Sequence, residues 1–139
     1  ACHPVYWRAN GGWQVRRFDR WLPLSPDAPM LHVNRFEAEA FAAWRGRQLP
    51  TAAQWQRATG HADFRWGMGW EWLRDPFVPY PGFAPDPYQD YSQPWFHSHV
   101  ELRGGGPVTD PSLKRPGFRN FYLPHRRDPF AGFRTASPG

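Results

Sequence analysis

Apolar positions along this chain follow distinct rhythms, and each rhythm changes at a glycine or proline. Phe36, Ala40, Phe41 and Trp44 recur at helical spacing behind Asn34, with an acid, Glu37, three residues further on. That is an N-cap with its reciprocal partner, and Arg45-Gly46 ends the run, so the pattern predicts a helix between them. A second capping box, Thr51-Ala52-Ala53-Gln54, opens a shorter helix through Trp55 to Thr59 that stops at Gly60. Arg47-Gln48-Leu49-Pro50 joins the two. Upstream, Val5-Tyr6-Trp7 and Trp13 to Phe18 flank Asn10-Gly11-Gly12, which reads either as a hairpin about a glycine turn or as an irregular aromatic segment. Ser25 to Pro29 is a proline-containing connection.

Beyond Gly60 no helical period survives. Pro76, Pro79, Pro81, Pro85, Pro87 and Pro94 interrupt the segment from 75 to 95, so it must be an extended or turning surface. Its aromatics, Phe77, Tyr80, Phe83, Tyr88, Tyr91, Trp95 and Phe96, argue against disorder, and a long irregular stretch in a folded domain usually carries function. Val100-Glu101-Leu102-Arg103 and Phe130 to Thr135 read as short strands. The pattern is that of an irregular α+β fold with two short helices, short strands and long loops.

Composition narrows this. A chain of 139 residues, 40% of them hydrophobic, builds one core, not two. No apolar run approaches the roughly 18 residues of a membrane span, so no membrane partner is expected. The opening Ala1-Cys2-His3-Pro4 lacks the charged and then apolar character of a secretion signal. One cysteine, Cys2, allows no internal disulfide or thiolate cluster and suits a reducing cytoplasm. Aromatics make up 18% and isoleucine is absent, so aromatic side chains are expected to fill much of the core. With 13 Gly and 17 Pro the chain should be folded but loop-rich. The net charge of +5 comes from arginines interspersed with acids, and Lys114 is the sole lysine. This looks like genomic arginine bias rather than the clustered patch of a nucleic-acid binder.

Few motifs carry chemistry. Gly104-Gly105-Gly106 lacks the Lys-Ser/Thr of a phosphate loop and precedes Pro107, so it reads as a tight turn. His97 and His99 would share one face of a strand as metal ligands, but no third ligand stands nearby. Neither a G-x-S-x-G elbow nor an H-E-x-x-H pair occurs. Cys2 has no activating neighbour and reads as a passenger. The densest constellation is Arg119-Asn120-Phe121-Tyr122-Leu123-Pro124-His125-Arg126-Arg127-Asp128. Its arginines suit a carboxylate, Asn120 and Tyr122 a polar ligand, and Phe121 an ammonium group. A solvated turn with an Arg127/Asp128 pair explains the same residues.

Several stretches together resemble a family. Glu39 to Trp55, with Trp44-Arg45-Gly46-Arg47-Gln48-Leu49-Pro50-Thr51 at its centre, is similar to the signature of the sulfatase-modifying-factor, or formylglycine-generating-enzyme-like, domain, a variant of the C-type lectin fold. Trp70-Glu71-Trp72, Pro79-Tyr80-Pro81-Gly82-Phe83, Leu102-Arg103-Gly104-Gly105, Arg119 to Tyr122 and Ala131-Gly132-Phe133-Arg134 follow in that family's order. Formylglycine-generating enzymes need a copper-holding cysteine pair, which one cysteine cannot supply. Phe64-Arg65-Trp66-Gly67 just before Trp70-Glu71-Trp72, with Asp90-Tyr91-Ser92 and Pro94-Trp95-Phe96, is similar to the C-terminal domain of hercynine oxygenases (ergothioneine-type sulfoxide synthases), and among them to selenoneine synthases.

The resemblance implies a substrate-binding portion of a non-haem iron enzyme that uses O2 to form a C–S or C–Se bond on hercynine. Its partners would be hercynine, a thiol or selenol donor of the cysteine or selenosugar type, and an N-terminal DinB-like domain whose histidines hold Fe(II). The H-x-x-x-H-x-E spacing of that domain does not occur here, so residues 1–139 are expected to be one C-terminal domain portion that binds no metal itself. Asn120, Phe121 and Tyr122 match positions lining the substrate pocket, and Arg126 matches an arginine that holds the donor's carboxylate, with Arg127 beside it. Tyr122 replaces an acid of the γ-glutamylcysteine-using branch, which points to a different donor. Tyr80 falls in a loop where some members keep a proton-donating tyrosine, although a purely structural tyrosine is the readier reading. Gly69 stands where Val is more usual and Ala42 where Cys is common; both look like packing changes. The alternative from another class is a non-catalytic lectin-like ligand-binding module.

Overall fold

Among the described residues of this computed structural model, 3–88, 90 and 92–138, the order is β1 (Trp7–Ala9), β2 (Trp13–Arg17), β3 (Arg20–Pro23), α1 (Arg35–Trp44), α2 (Ala52–Ala58), β4 (Trp70–Pro76), β5 (Val100–Arg103), β6 (Asn120–Tyr122) and β7 (Ala131–Gly132). Cys2 and Tyr91, both singled out in the sequence, lie outside the described residues.

The N-terminal segment is the hairpin. Trp7 pairs with Val15 and Ala9 with Trp13, and the turn between them needs the positive φ of Gly11 and Gly12. The chain then reverses again, through Phe18-Asp19, to add β3 against β2 with Arg17 opposite Arg20. No glycine announces this second turn, and Phe18 itself takes the left-handed backbone, at φ 54°.

Both helices start where the capping boxes place them. Asn34 accepts from the Glu37 amide and Glu37 from the Asn34 amide, while Thr51 and Gln54 do the same for α2. The buried face of α1 is narrow. Ala38 and Ala42 meet the sheet, whereas Phe36, Phe41 and Trp44 face outward, Trp44 with 75% of its surface exposed. Small side chains at i and i+4 let the helix backbone approach the two buried indoles of Trp70 and Trp72.

The second sheet has the order β6-β5-β4-β7, antiparallel except for β4 with β7. One face carries Trp70, Trp72, Val100, Leu102 and Ala131 against α1 and Leu49. The other carries Glu71, Leu73, Glu101 and Arg103, and here α2 lies close, the Trp55 indole N–H donating to Glu71 at 2.8 Å. The β7 pairing covers two residues, shorter than the strand expected from Phe130 to Thr135. Aromatics supply Trp55, Trp70, Trp72 and Phe77 to the interior, but Trp13, Phe18, Tyr88 and Trp95 are exposed. Aromatic residues therefore build a surface as much as a core. The turn after β5 uses positive φ at Gly104 and Gly105, and a Cβ on Gly104 would lie 3.1 Å from the Gly69 carbonyl. The glycines serve close backbone approach.

Candidate functional site

Strand β6 divides the candidate residues between two sides. Asn120 lies opposite Leu102 and Tyr122 opposite Val100, so both face the α1 side, where the Asn120 amide donates to the Tyr122 hydroxyl at 3.3 Å. Phe121 lies opposite Glu101 and faces the other way. It stacks on Phe77 with centroids 4.3 Å apart and meets the edge of His99 at 5.7 Å. Phe96 extends this aromatic floor, 4.9 Å from Phe77.

Tyr80 stands on the Phe121 side. Its hydroxyl accepts from Arg103 Nη2 at 3.0 Å, and the Arg119 guanidinium lies 3.8 Å from its ring centroid. Arg103 also donates to Glu101 at 2.6 Å and to the Pro116 carbonyl at 2.7 Å, and Arg119 to the Val78 carbonyl at 2.7 Å. Because a guanidinium offers no acceptor, the phenol's own proton must point elsewhere. A cleft of ≈ 1040 Å³ opens here, lined in part by Trp70, Phe77, Tyr80, Arg119, Asn120 and Phe121.

Tyr122, Arg126 and Arg127 are not in the lining of that cleft. Tyr122 ends β6, and Arg126 and Arg127 belong to the turn after it, which docks on the start of α1. The Arg35 amide donates to the Pro124 carbonyl at 3.0 Å, and Arg127 donates to Glu37, the capping-box acid, at 3.1 Å. Arg126 grips Asp128 with two parallel hydrogen bonds and lies 5.7 Å from the Tyr122 ring centroid. The expected Arg127/Asp128 pair is therefore replaced: Asp128 pairs with Arg126, and Arg127 reaches back across the fold to the helix. Hydrogen bonds from Arg126 hold the Asp128 carboxyl below its usual range, and that same partner raises Arg126 above its ordinary value.

His99 is partly buried, and this desolvation lowers its pKa from the ordinary value. A hydrogen bond involving Trp95 opposes the shift and the charge of Arg126 adds to it. His97 takes a left-handed backbone at φ 65° just before β5, so the two histidines do not sit in the strand as alternating positions. Among the described residues, no three His, Cys, Asp or Glu side chains gather as metal ligands would.

Composition did not single out the charged interior beside the cleft. Arg103 is 2% and Glu101 3% exposed, and the Arg134 guanidinium clasps Glu71 at 2.7 Å. Among the described residues no buried side-chain nitrogen or oxygen lacks a partner. A charge embedded in each of Trp70-Glu71-Trp72-Leu73 and Val100-Glu101-Leu102-Arg103 was the signal for it, since lone charges in an apolar strand must be paired.

The chain is similar to known proteins over most of its length. Residues 3–69 match the sulfatase-modifying factor enzyme 1-like domain. The chain is 35% identical, over 96% of its length, to hercynine oxygenase from Mycobacterium tuberculosis, and 34% identical over 96% to that from Mycolicibacterium thermoresistibile. The resemblance to the sulfatase-modifying-factor domain family thus covers just under half of the chain. Formylglycine-generating enzyme from Thermomonospora curvata, 36% identical over 45% of the chain and 20% of its own, is a further relative. The chain spans 42% of the length of the mycobacterial relative and 41% of the second. The first alignment runs over 179 positions against a chain of 139 residues, so this chain does without at least 40 positions present in that relative. No helix of the described residues is long and apolar enough to cross a membrane.

Proposed function

We propose that this chain forms the substrate-facing wall of a cytoplasmic, O2-dependent enzyme that joins sulfur or selenium to the imidazole carbon of hercynine. The supporting observation is the likeness to hercynine oxygenases over 96% of the chain, which takes in β6 and the turn that follows it. On this reading, the Phe77–Phe121 floor offers π-faces to hercynine's quaternary ammonium. Arg126 holds the carboxylate of the donor, which must share the guanidinium with Asp128 or displace it. Arg127 keeps the turn on α1 through Glu37. Tyr122, with Asn120 bonded to its hydroxyl, presents a neutral donor and acceptor where an acid serves γ-glutamylcysteine, which points to a different donor.

Tyr80, oriented by Arg103, delivers its phenolic proton into the cleft. Fe(II) belongs on this reading to histidines of a DinB-like domain outside this chain, where it would activate O2, because the side chains described here do not assemble a ligand set for it. This chain's contribution is orientation, which raises the effective concentration of the reacting groups. The test is calorimetric titration of the intact protein with hercynine, followed by turnover with a selenosugar and with γ-glutamylcysteine. Hercynine binding and poor turnover with γ-glutamylcysteine are expected. Absence of binding, together with undiminished turnover in Arg126→Ala, would overturn the reading. Binding without any turnover would instead identify a non-catalytic ligand-binding module.

A further inference from the structure

Among the described residues, three non-glycine residues have left-handed backbone, and two of them, Phe18 and His32 at φ 54° and 61°, line one cavity. Phe18 takes this region in the exposed β2–β3 turn and His32 in the segment before α1, and such backbone gathers at binding sites. The cavity, ≈ 490 Å³, lies where the β2–β3 turn faces the segment before α1, and its other walls are Tyr6, Arg16, Arg17, Asp128 and Phe130. A second cavity of ≈ 410 Å³ shares Arg17 and His32 and is otherwise largely apolar, with Trp7, Leu22 and Leu31 among its walls.

The His32 ring is fixed in place. Phe130 lies 4.9 Å and Tyr6 5.8 Å away, centroid to centroid, and Nδ1 is 3.1 Å from the Arg127 carbonyl. A carbonyl only accepts, so Nδ1 carries the hydrogen and the neutral ring keeps its acceptor lone pair on Nε2. Arg17 is partly buried and, among the described residues, has no hydrogen-bond or ion-pair partner; Arg16 uses only Nε, toward the Phe18 carbonyl at 2.9 Å. The Asp128 carboxylate makes its ion pair with Arg126, not with Arg17. A guanidinium without an ion-pair partner, beside aromatic faces and a fixed imidazole acceptor, has the donor and acceptor set of a ligand site.

We propose that this cavity binds a small aromatic carboxylate bearing a hydrogen-bond donor. Arg17 takes the carboxylate, the ligand's ring lies among Tyr6, Phe18 and Phe130, and His32 Nε2 accepts from the donor. The site is separate from the cleft at Tyr80 and does not depend on the hercynine reading. The experiment is calorimetric titration of the intact protein with 4-hydroxybenzoate, its neutral analogue 4-hydroxybenzamide, and inorganic phosphate. The acid is expected to bind at least tenfold more tightly than the amide. Arg17→Gln should weaken it at least tenfold, and His32→Asn, which tolerates the left-handed backbone, severalfold. Tyr80→Phe should leave it unchanged. Equal binding of acid and amide, no effect of Arg17→Gln, or tighter binding of phosphate than of 4-hydroxybenzoate would overturn the proposal. If His32→Asn fails to fold, by far-ultraviolet circular dichroism, the acid–amide comparison in Arg17→Gln still decides it.

Discussion

The Tyr80 hydroxyl is the outermost acceptor of Arg103, a guanidinium with 2% exposure whose remaining donors go to Glu101, the Pro116 carbonyl and Gln56. A half-exposed phenol is thereby tied to the most buried charge in the fold. The two ends of this link should separate cleanly on mutation. Arg103→Leu leaves Glu101 buried with only Arg119, at 3.3 Å, to compensate it. The expected cost is about 3–5 kcal/mol, the usual consequence of removing one partner of a buried pair. Tyr80→Phe removes one hydrogen bond and should cost about 1 kcal/mol. Thermal melting of the intact protein and both variants under identical conditions checks the contrast. Equal melting temperatures for the two variants would contradict it.

If Tyr80 supplies a proton, its hydroxyl matters in turnover and hardly in binding. Tyr80→Phe should then lower kcat by roughly 100-fold, the low end for a positioned acid, with the KM for hercynine nearly unchanged. The ring remains to stack beneath Arg119 at 3.8 Å, so cleft shape is retained. A raised KM with normal kcat would assign the residue to substrate packing instead.

His99 offers a pH readout on the site. Partial burial lowers its pKa first, and the Arg126 charge lowers it further. Histidine NMR titration should place its midpoint below the ordinary value of about 6.5, and Arg126→Ala should move it part of the way back up. The sign for stability follows. A histidine whose folded pKa is depressed binds more protons when unfolded, so its contribution to stability is complete above the unfolded value. It declines as pH falls from there through the folded value. An His99 midpoint unchanged by Arg126→Ala would remove the electrostatic link between the turn and the aromatic floor.

Local rules expressed in consecutive residues were legible in the sequence. Both capping boxes and β5 lie where Asn34, Thr51 and the apolar runs put them, and of the two readings open for the Gly11-Gly12 segment the structure has the hairpin. Strand β4 was not, because Trp70 to Leu73 is buried at four successive positions and shows no alternation. Its second face is closed by Arg134, distant in sequence, rather than by solvent. Strand β6 was read as a polar cluster for a similar reason. Only its pairing with β5 reveals that Phe121 and its neighbours point to opposite sides. The partners of Arg126 and Arg127 could not be chosen from sequence either. Asp128 is next to Arg127 and two residues from Arg126, and Glu37 is 90 residues away from Arg127.

The exposed aromatic stripe on α1 reverses the usual expectation for an amphipathic helix, and substitution should expose the reversal. Ala42→Leu inserts bulk between the helix and the buried Trp72 layer and should cost about 1–3 kcal/mol. Trp44→Ser, at a position 75% exposed, should stay within about 0.5 kcal/mol. Thermal melting distinguishes these, and a larger loss at Trp44 than at Ala42 would place the core on the opposite face.

Gly69 records an exchange of volume. A Cβ at this position would collide with the Leu31 side chain and lie 3.2 Å from the Phe130 carbonyl, so Leu31 occupies the space that a larger residue before Trp70 would need. The resemblance puts valine here in family members, yet Gly69→Val in this chain should destabilise by about 1–3 kcal/mol through overpacking. Leu31→Ala alone should also destabilise, by opening a void. Combined, the two changes exchange volume across the contact, and the double variant should melt above the sum of the single effects by a coupling of about 0.5–3 kcal/mol. The Phe130 carbonyl is backbone and cannot retreat, so recovery should be incomplete. Additive losses in the double-mutant cycle would mean that Leu31 and Gly69 do not share the space.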